Sequence, residues 1–126
     1  MKEIIIKFIE IERITSAEKG VYDLFALFLR EDSSNKWDIV VAANWIGKNK
    51  EDALNYLGKK IQMTFTPAEL LLISRIVIIE ESNPELPALQ QAISIEHGSA
   101  EVKDSNFFGL QIKHAYLITS IKRQAA

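Results

Sequence analysis

Two histidines, His97 and His114, stand either side of Asp104 in a stretch that a hairpin would fold together. Imidazole is the commonest side-chain metal ligand and the usual general base, so this trio is the first place to look for chemistry. Its spacing argues for something plainer. The histidines are seventeen residues apart, and neither a His-x-His nor a His-Glu-x-x-His pairing exists. The chain has no cysteine, which removes thiolate zinc sites, iron–sulfur clusters, disulfides and cysteine nucleophiles at once. The expectation is no metal and no cofactor, with each histidine held by an ordinary hydrogen bond.

The second candidate is Ala43-Asn44-Trp45-Ile46-Gly47-Lys48-Asn49-Lys50, which runs from the end of a predicted strand into a predicted helix. Ligands favour that edge of an open α/β sheet, and a helix N-terminus offers free N–H groups to an anion. Trp45, Gly47, Lys48 and Lys50 are therefore the anion-binding candidates. The segment has one glycine, whereas a phosphate loop needs two followed by Lys and Ser or Thr, and a dinucleotide fingerprint needs three. The chemistry implied is a small-molecule or nucleotide-linked enzyme whose anion site lies in the 44–50 loop, with Asp38 or His114 as base.

Acid pairing is the third possibility. Asp23 and Asp38 interrupt apolar runs, and Glu80-Glu81 closes another. Ionised groups inside strands are costly unless paired or at an edge, and two facing carboxyls are the usual tools of hydrolysis. Gln111-Ile112-Lys113 resembles half of a nuclease-type Glu-x-Lys pair, but the order of elements argues against it, and no Gly-x-Ser-x-Gly is present. No catalytic residue is assigned. The fourth candidate is Phe107-Phe108 after the polar Asp104-Ser105-Asn106, read as a turn. Neighbours in a strand point to opposite faces, so one phenylalanine would be free to anchor a partner.

These residues need a scaffold, and the pattern supplies one. Over Ile4 to Ile14 the apolar positions Ile4, Ile5, Phe8, Ile9 and Ile11 follow helical spacing, with Gly20 as the stop. Val21 to Arg30 and Trp37 to Trp45 are apolar runs about a polar loop, a hairpin at the middle of the sheet. Asn49 caps a helix with Leu54, Leu57, Ile61 and Phe65 as its stripe, and Thr66-Pro67-Ala68-Glu69 is a capping box opening a second helix. Arg75 to Glu80 is a buried strand, Asn83-Pro84 opens a short helix, and Ile93–Lys103 and Gly109–Lys122 close the chain as strands. The order is α-β-β-α-α-β-α-β-β, an α+β fold with a mainly antiparallel sheet, all 126 residues forming one domain.

Fifteen basic against seventeen acidic residues and a pI near 5.7 give no field to recruit a polyanion. Lys36, Lys48, Lys50, Lys59 and Lys60 make the middle locally basic, which is too little for a nucleic-acid partner. Lys7, Glu10, Glu12 and Arg13 break any signal-like apolar run, and no run is long enough to cross a membrane, so the expected location is the cytoplasm. The expected function is a non-enzymatic protein-interaction or accessory module acting as a homo-oligomer.

Overall fold

The computed structural model describes residues 1–123. Helix α1 (Lys2–Lys19) buries Ile4, Phe8, Ile11, Glu12 and Thr15, a stripe at three- and four-residue spacing. It stops at Gly20, whose φ of 135° lies in the region that favours glycine and whose N–H donates to the Ser16 carbonyl at 3.0 Å. Strands β1 (Leu24–Arg30) and β2 (Trp37–Ala42) form the expected antiparallel hairpin and are buried on both faces almost throughout. That explains why neither run alternates.

Helix α2 (Asn44–Lys48) occupies the segment read as a connecting loop, and β2 ends at Ala42, three residues before the expected Trp45. Helix α3 (Lys50–Thr64) follows, its Asn49 side chain accepting from the Asp52 N–H. The capping box at Thr66 is present in both directions and opens α4 (Pro67–Leu70). Strand β3 (Ile73–Ile78) then lies parallel to β2, because the crossover through the helices returns the chain to the same end of the sheet. After α5 (Glu85–Ala92), strands β4 (Ala100–Phe107) and β5 (Leu110–Ser120) form the second hairpin.

The α+β class holds, with two corrections. The sheet is mixed, in the order β3-β2-β1-β5-β4, since β2 and β3 are parallel; and α2 adds an element to the expected order. The polar Asp104-Ser105-Asn106 lies inside β4, and the turn falls at Phe108-Gly109, both at positive φ (54° and 77°). Two primed-type turn conformations match the twist of a tight hairpin, which is why the turn sits there and not at the polar residues. Strand β5 is longer than its partners need. Ile118 and Lys113 are left without a partner in its register with β1, so its side-chain alternation slips twice.

One face of the sheet packs Phe25, Leu27, Ile39 and Val41 against α1, α2 and α3 through Phe8, Ile46, Leu57 and Ile61. The other packs Leu24, Ala26, Phe28, Val40 and Leu117 against α5 through Leu86 and Leu89. Each fully buried Leu, Ile or Phe contributes about 1.5–3 kcal/mol of transfer free energy, so these two layers hold the strand ends that carry the candidate residues. No helix among the described residues is long and apolar enough to cross a membrane.

Candidate functional site

His97 meets a residue that lies nowhere near it in the chain. Its Nδ1 is 2.5 Å from Oε1 of Glu12, which sits on α1 with no solvent exposure. Oε2 of the same carboxyl accepts from Thr119 Oγ1 at 2.8 Å, and Thr119 Oγ1 in turn accepts from the His97 N–H at 3.1 Å. The three residues close a ring of hydrogen bonds between α1, the end of β5 and the 93–99 segment. His97 has φ 54°, a left-handed conformation that the ring and the bridge between Ile95 and Ser120 hold in place. With Nδ1 turned inward to the carboxyl, the outer edge of the 40% exposed imidazole faces solvent. That arrangement can orient a proton acceptor. Equally, it fastens the segment to the helix, and none of the clefts beside α2, beside α3 or at the hairpin tip is lined by His97.

His114 is engaged elsewhere. Its Nε2 bonds the Glu101 carboxyl, and its ring packs 4.6 Å from Tyr116 and 5.6 Å from Trp37. Thr119, which holds His97, lies five residues further along β5, roughly 17 Å at 3.4 Å per residue. Asp104 is exposed in β4. The trio does not converge, and among the described residues no group of three or more His, Asp or Glu is placed to hold a metal.

The 44–50 segment borders a cleft of about 310 Å³ at the ends of the parallel strands β2 and β3, lined by Ala43, Asn44, Gly47, Lys48 and residues 78–82. Its charge is mixed. Lys50 is ion-paired with Glu80, and the Glu81 carboxylate lies 3.7 Å from where a Cβ on Gly47 would stand. Burial, and a hydrogen bond shared with the Glu81 carboxyl, push the Asp23 carboxyl up to about 6, with Arg123 opposing. A phosphate in this cleft would face carboxylates, which oppose the lysines that were to attract it. Trp45 points away from the cleft, edge-on to Tyr22 and Tyr56 at centroid distances of 5.5 and 6.0 Å.

Asp38 is buried on the α5 side of the sheet, taking Arg30 Nε at 2.7 Å and Arg75 Nε at 3.4 Å. It is thus separated by the sheet from His114, and by the length of the hairpin from Asp23, whose N–H bonds the Ala42 carbonyl. Phe107 and Phe108 both stack on Phe28, at 5.3 and 6.5 Å, because Phe108 leaves the strand at the turn and does not flip to the opposite face. Beside them an apolar groove of about 260 Å³ runs along Leu89, Ala92 and Ile93. Comparison with known families, with curated proteins and with solved structures finds no match to this chain.

Sequence reasoning missed Glu12 and Thr119. The signal for Glu12 was present: a carboxylate at the fourth position after Phe8, within the apolar stripe of α1, has to be satisfied by something across the core.

Proposed function

We propose that this protein works by protein contact, as a non-enzymatic module that assembles with copies of itself. The observation that carries the reading is the difference between the two edges of its sheet. Edge strand β4 is guarded: Glu101, Lys103 and Asp104 are exposed along it, and Asp104 breaks its line with φ 50°. Edge strand β3 has a single charged residue, Arg75, and continues Ile76-Val77-Ile78-Ile79, each only partly covered by the cores on which it packs. An apolar edge with free N–H and C=O groups is a template for another strand, and proteins that stay alone blunt such edges with charge, proline or a kink.

The opposing reading, an anion-binding enzyme at 44–50, loses support because Glu80 and Glu81 line the cleft beside Lys48. Sedimentation equilibrium over a wide range of micromolar concentrations tests the proposal. A mass rising to a defined oligomer supports it. A monomer throughout overturns it.

A further inference from the structure

Resting on that reading, we infer that the partner is a second copy seated on β3 and α3: the β3 strands pair antiparallel about a two-fold axis through Val77, and the α3 helices cross above them. The backbone of β3 sets which residues can pair. Ile79 donates its N–H to the Val41 carbonyl at 2.8 Å, so residues 77 and 79 face β2 while the N–H and C=O of Ile76 and Ile78 face outward. An axis through Val77 sets Ile76 opposite Ile78 of the other copy, and each satisfies both backbone groups of its partner. Val77 then faces its own counterpart on the α5 side. The first half of β3 stays out of the pairing, since Ser74 has no partner in the β2 register and Arg75 is turned to Asp38.

Helix α3 supplies the second half of the contact. Lys50 at its start is paired with Glu80 just past β3, and its end leads through α4 back to the start of β3, so helix and strand run antiparallel. Lys60 and Tyr56 bind Glu18 on α1. Leu54 and Gly58 stand about 160° to 200° further round the helix from Tyr56, at 100° per residue, and so lie on the flank away from α1, over the β3 edge. This flank is open. Leu54 is 38% exposed, and a Cβ on Gly58 would meet nothing within 4 Å. A mid-helix glycine costs helix stability, and one here lets a second backbone come close.

Val77 is three residues, about 10 Å, before Glu80. The same distance along the antiparallel α3 from Lys50, which is paired to Glu80, reaches its middle, so the axis through Val77 passes α3 between Asn55 and Gly58. It brings Glu51, in the first turns of one α3, toward Lys59 of the other. Glu51 stands on that open flank, and Lys59 about 100° further round from Gly58, on the outer surface of the helix. Both are exposed and neither has an ion-pair partner among the described residues, so the long Lys59 side chain of one copy, reaching over the top of the helix pair, meets the Glu51 carboxylate of the other. This isologous geometry is what a closed dimer requires, and it argues for a second copy over an unrelated chain.

Gly58→Glu is the test, measured by sedimentation beside the parent. The new side chain has room in the isolated chain and improves helix propensity, so circular dichroism should match the parent while dimerisation weakens at least about tenfold. Zero-length crosslinking of a mixture of ¹⁴N- and ¹⁵N-labelled parent locates the contact independently. Glu51 and Lys59 are about 12 Å apart along one helix and cannot be joined within a chain, so a mixed-isotope Glu51–Lys59 peptide is expected. A parent that dimerises with Gly58→Glu dimerising equally well, or with no mixed peptide, overturns this placement and leaves self-assembly standing. A parent that is monomeric throughout overturns both.

Discussion

Glu12 and His97, 85 residues apart, are joined at 2.5 Å between the first helix and the segment before the last hairpin. The carboxylate is fully buried and the imidazole is not, so the two ends of this contact differ in what their loss leaves behind. Removing the histidine strands a carboxylate in the core with Thr119 as its remaining partner. His97→Ala is expected to lower stability by about 1–3 kcal/mol, less than a wholly buried pair would lose because the ring is part-solvated. Glu12→Gln keeps an acceptor for Thr119 without the charge and should cost less than His97→Ala. Urea unfolding of both variants checks the order. The reverse order would mean that the ring is a weak tie and the carboxylate is held by other means.

That contact also marks where the sequence stops being legible. Local signals read well: the stripe of α1, the hairpin of two unbroken apolar runs, and the capping box at Thr66 to Glu69 all concern neighbours in the chain. The parallel partnership of β2 and β3 depends on which way a crossover returns, and no periodicity encodes that. Strand β5 was legible as a strand, but which face each of its side chains takes was not, because bulges at Lys113 and Ile118 break the two-residue alternation. The turn at Phe108-Gly109 was hidden by the polar Asp104-Ser105-Asn106, which composition favours and hairpin geometry does not. Of the candidate site residues, those whose role depended on a helix from the other end of the chain were out of reach.

Gly20 is fixed by two demands at once. Its φ of 135° suits glycine alone, and a Cβ there would stand 3.0 Å from Cδ1 of the Trp45 indole. Gly20→Ala should therefore destabilise by about 1–3 kcal/mol, through backbone strain and displacement of the ring. Tryptophan fluorescence gives a second readout, since a shifted Trp45 changes its packing on Tyr22. Unchanged emission and unchanged stability together would show that the chain end of α1 yields freely.

Phe107 and Phe108 were natural anchors for a partner on sequence grounds. Stacked on Phe28, they have an intramolecular duty, and the contact between copies is proposed for the opposite edge of the sheet. Phe107→Ser is expected to cost about 1.5–3 kcal/mol in stability, roughly half the loss of a fully buried phenylalanine, and to leave the sedimenting mass as in the parent. A variant of normal stability but altered mass would return the interface to the hairpin tip.

Asp23 makes stability depend on pH in a direction opposite to most carboxylates. Burial and the neighbouring Glu81 raise its folded value to about 6 from an ordinary 3.8, so the folded protein holds a proton that the unfolded chain has released. Between those values folding takes up a proton, and the stability present below pH 3.8 is lost as pH rises through 6. Above pH 6 the folded state holds the Asp23 charge in a part-buried place against the repulsion of the neighbouring Glu81. Asp23→Asn removes that repulsion and keeps the shape, so its melting temperature should exceed that of the parent at pH 7.5 and approach it at pH 4. Thermal unfolding of both proteins across pH 4 to 8 is the check, with a ¹³C titration of the Asp23 carboxyl beside it. A constant difference at every pH would assign the effect to packing and not to the shared proton.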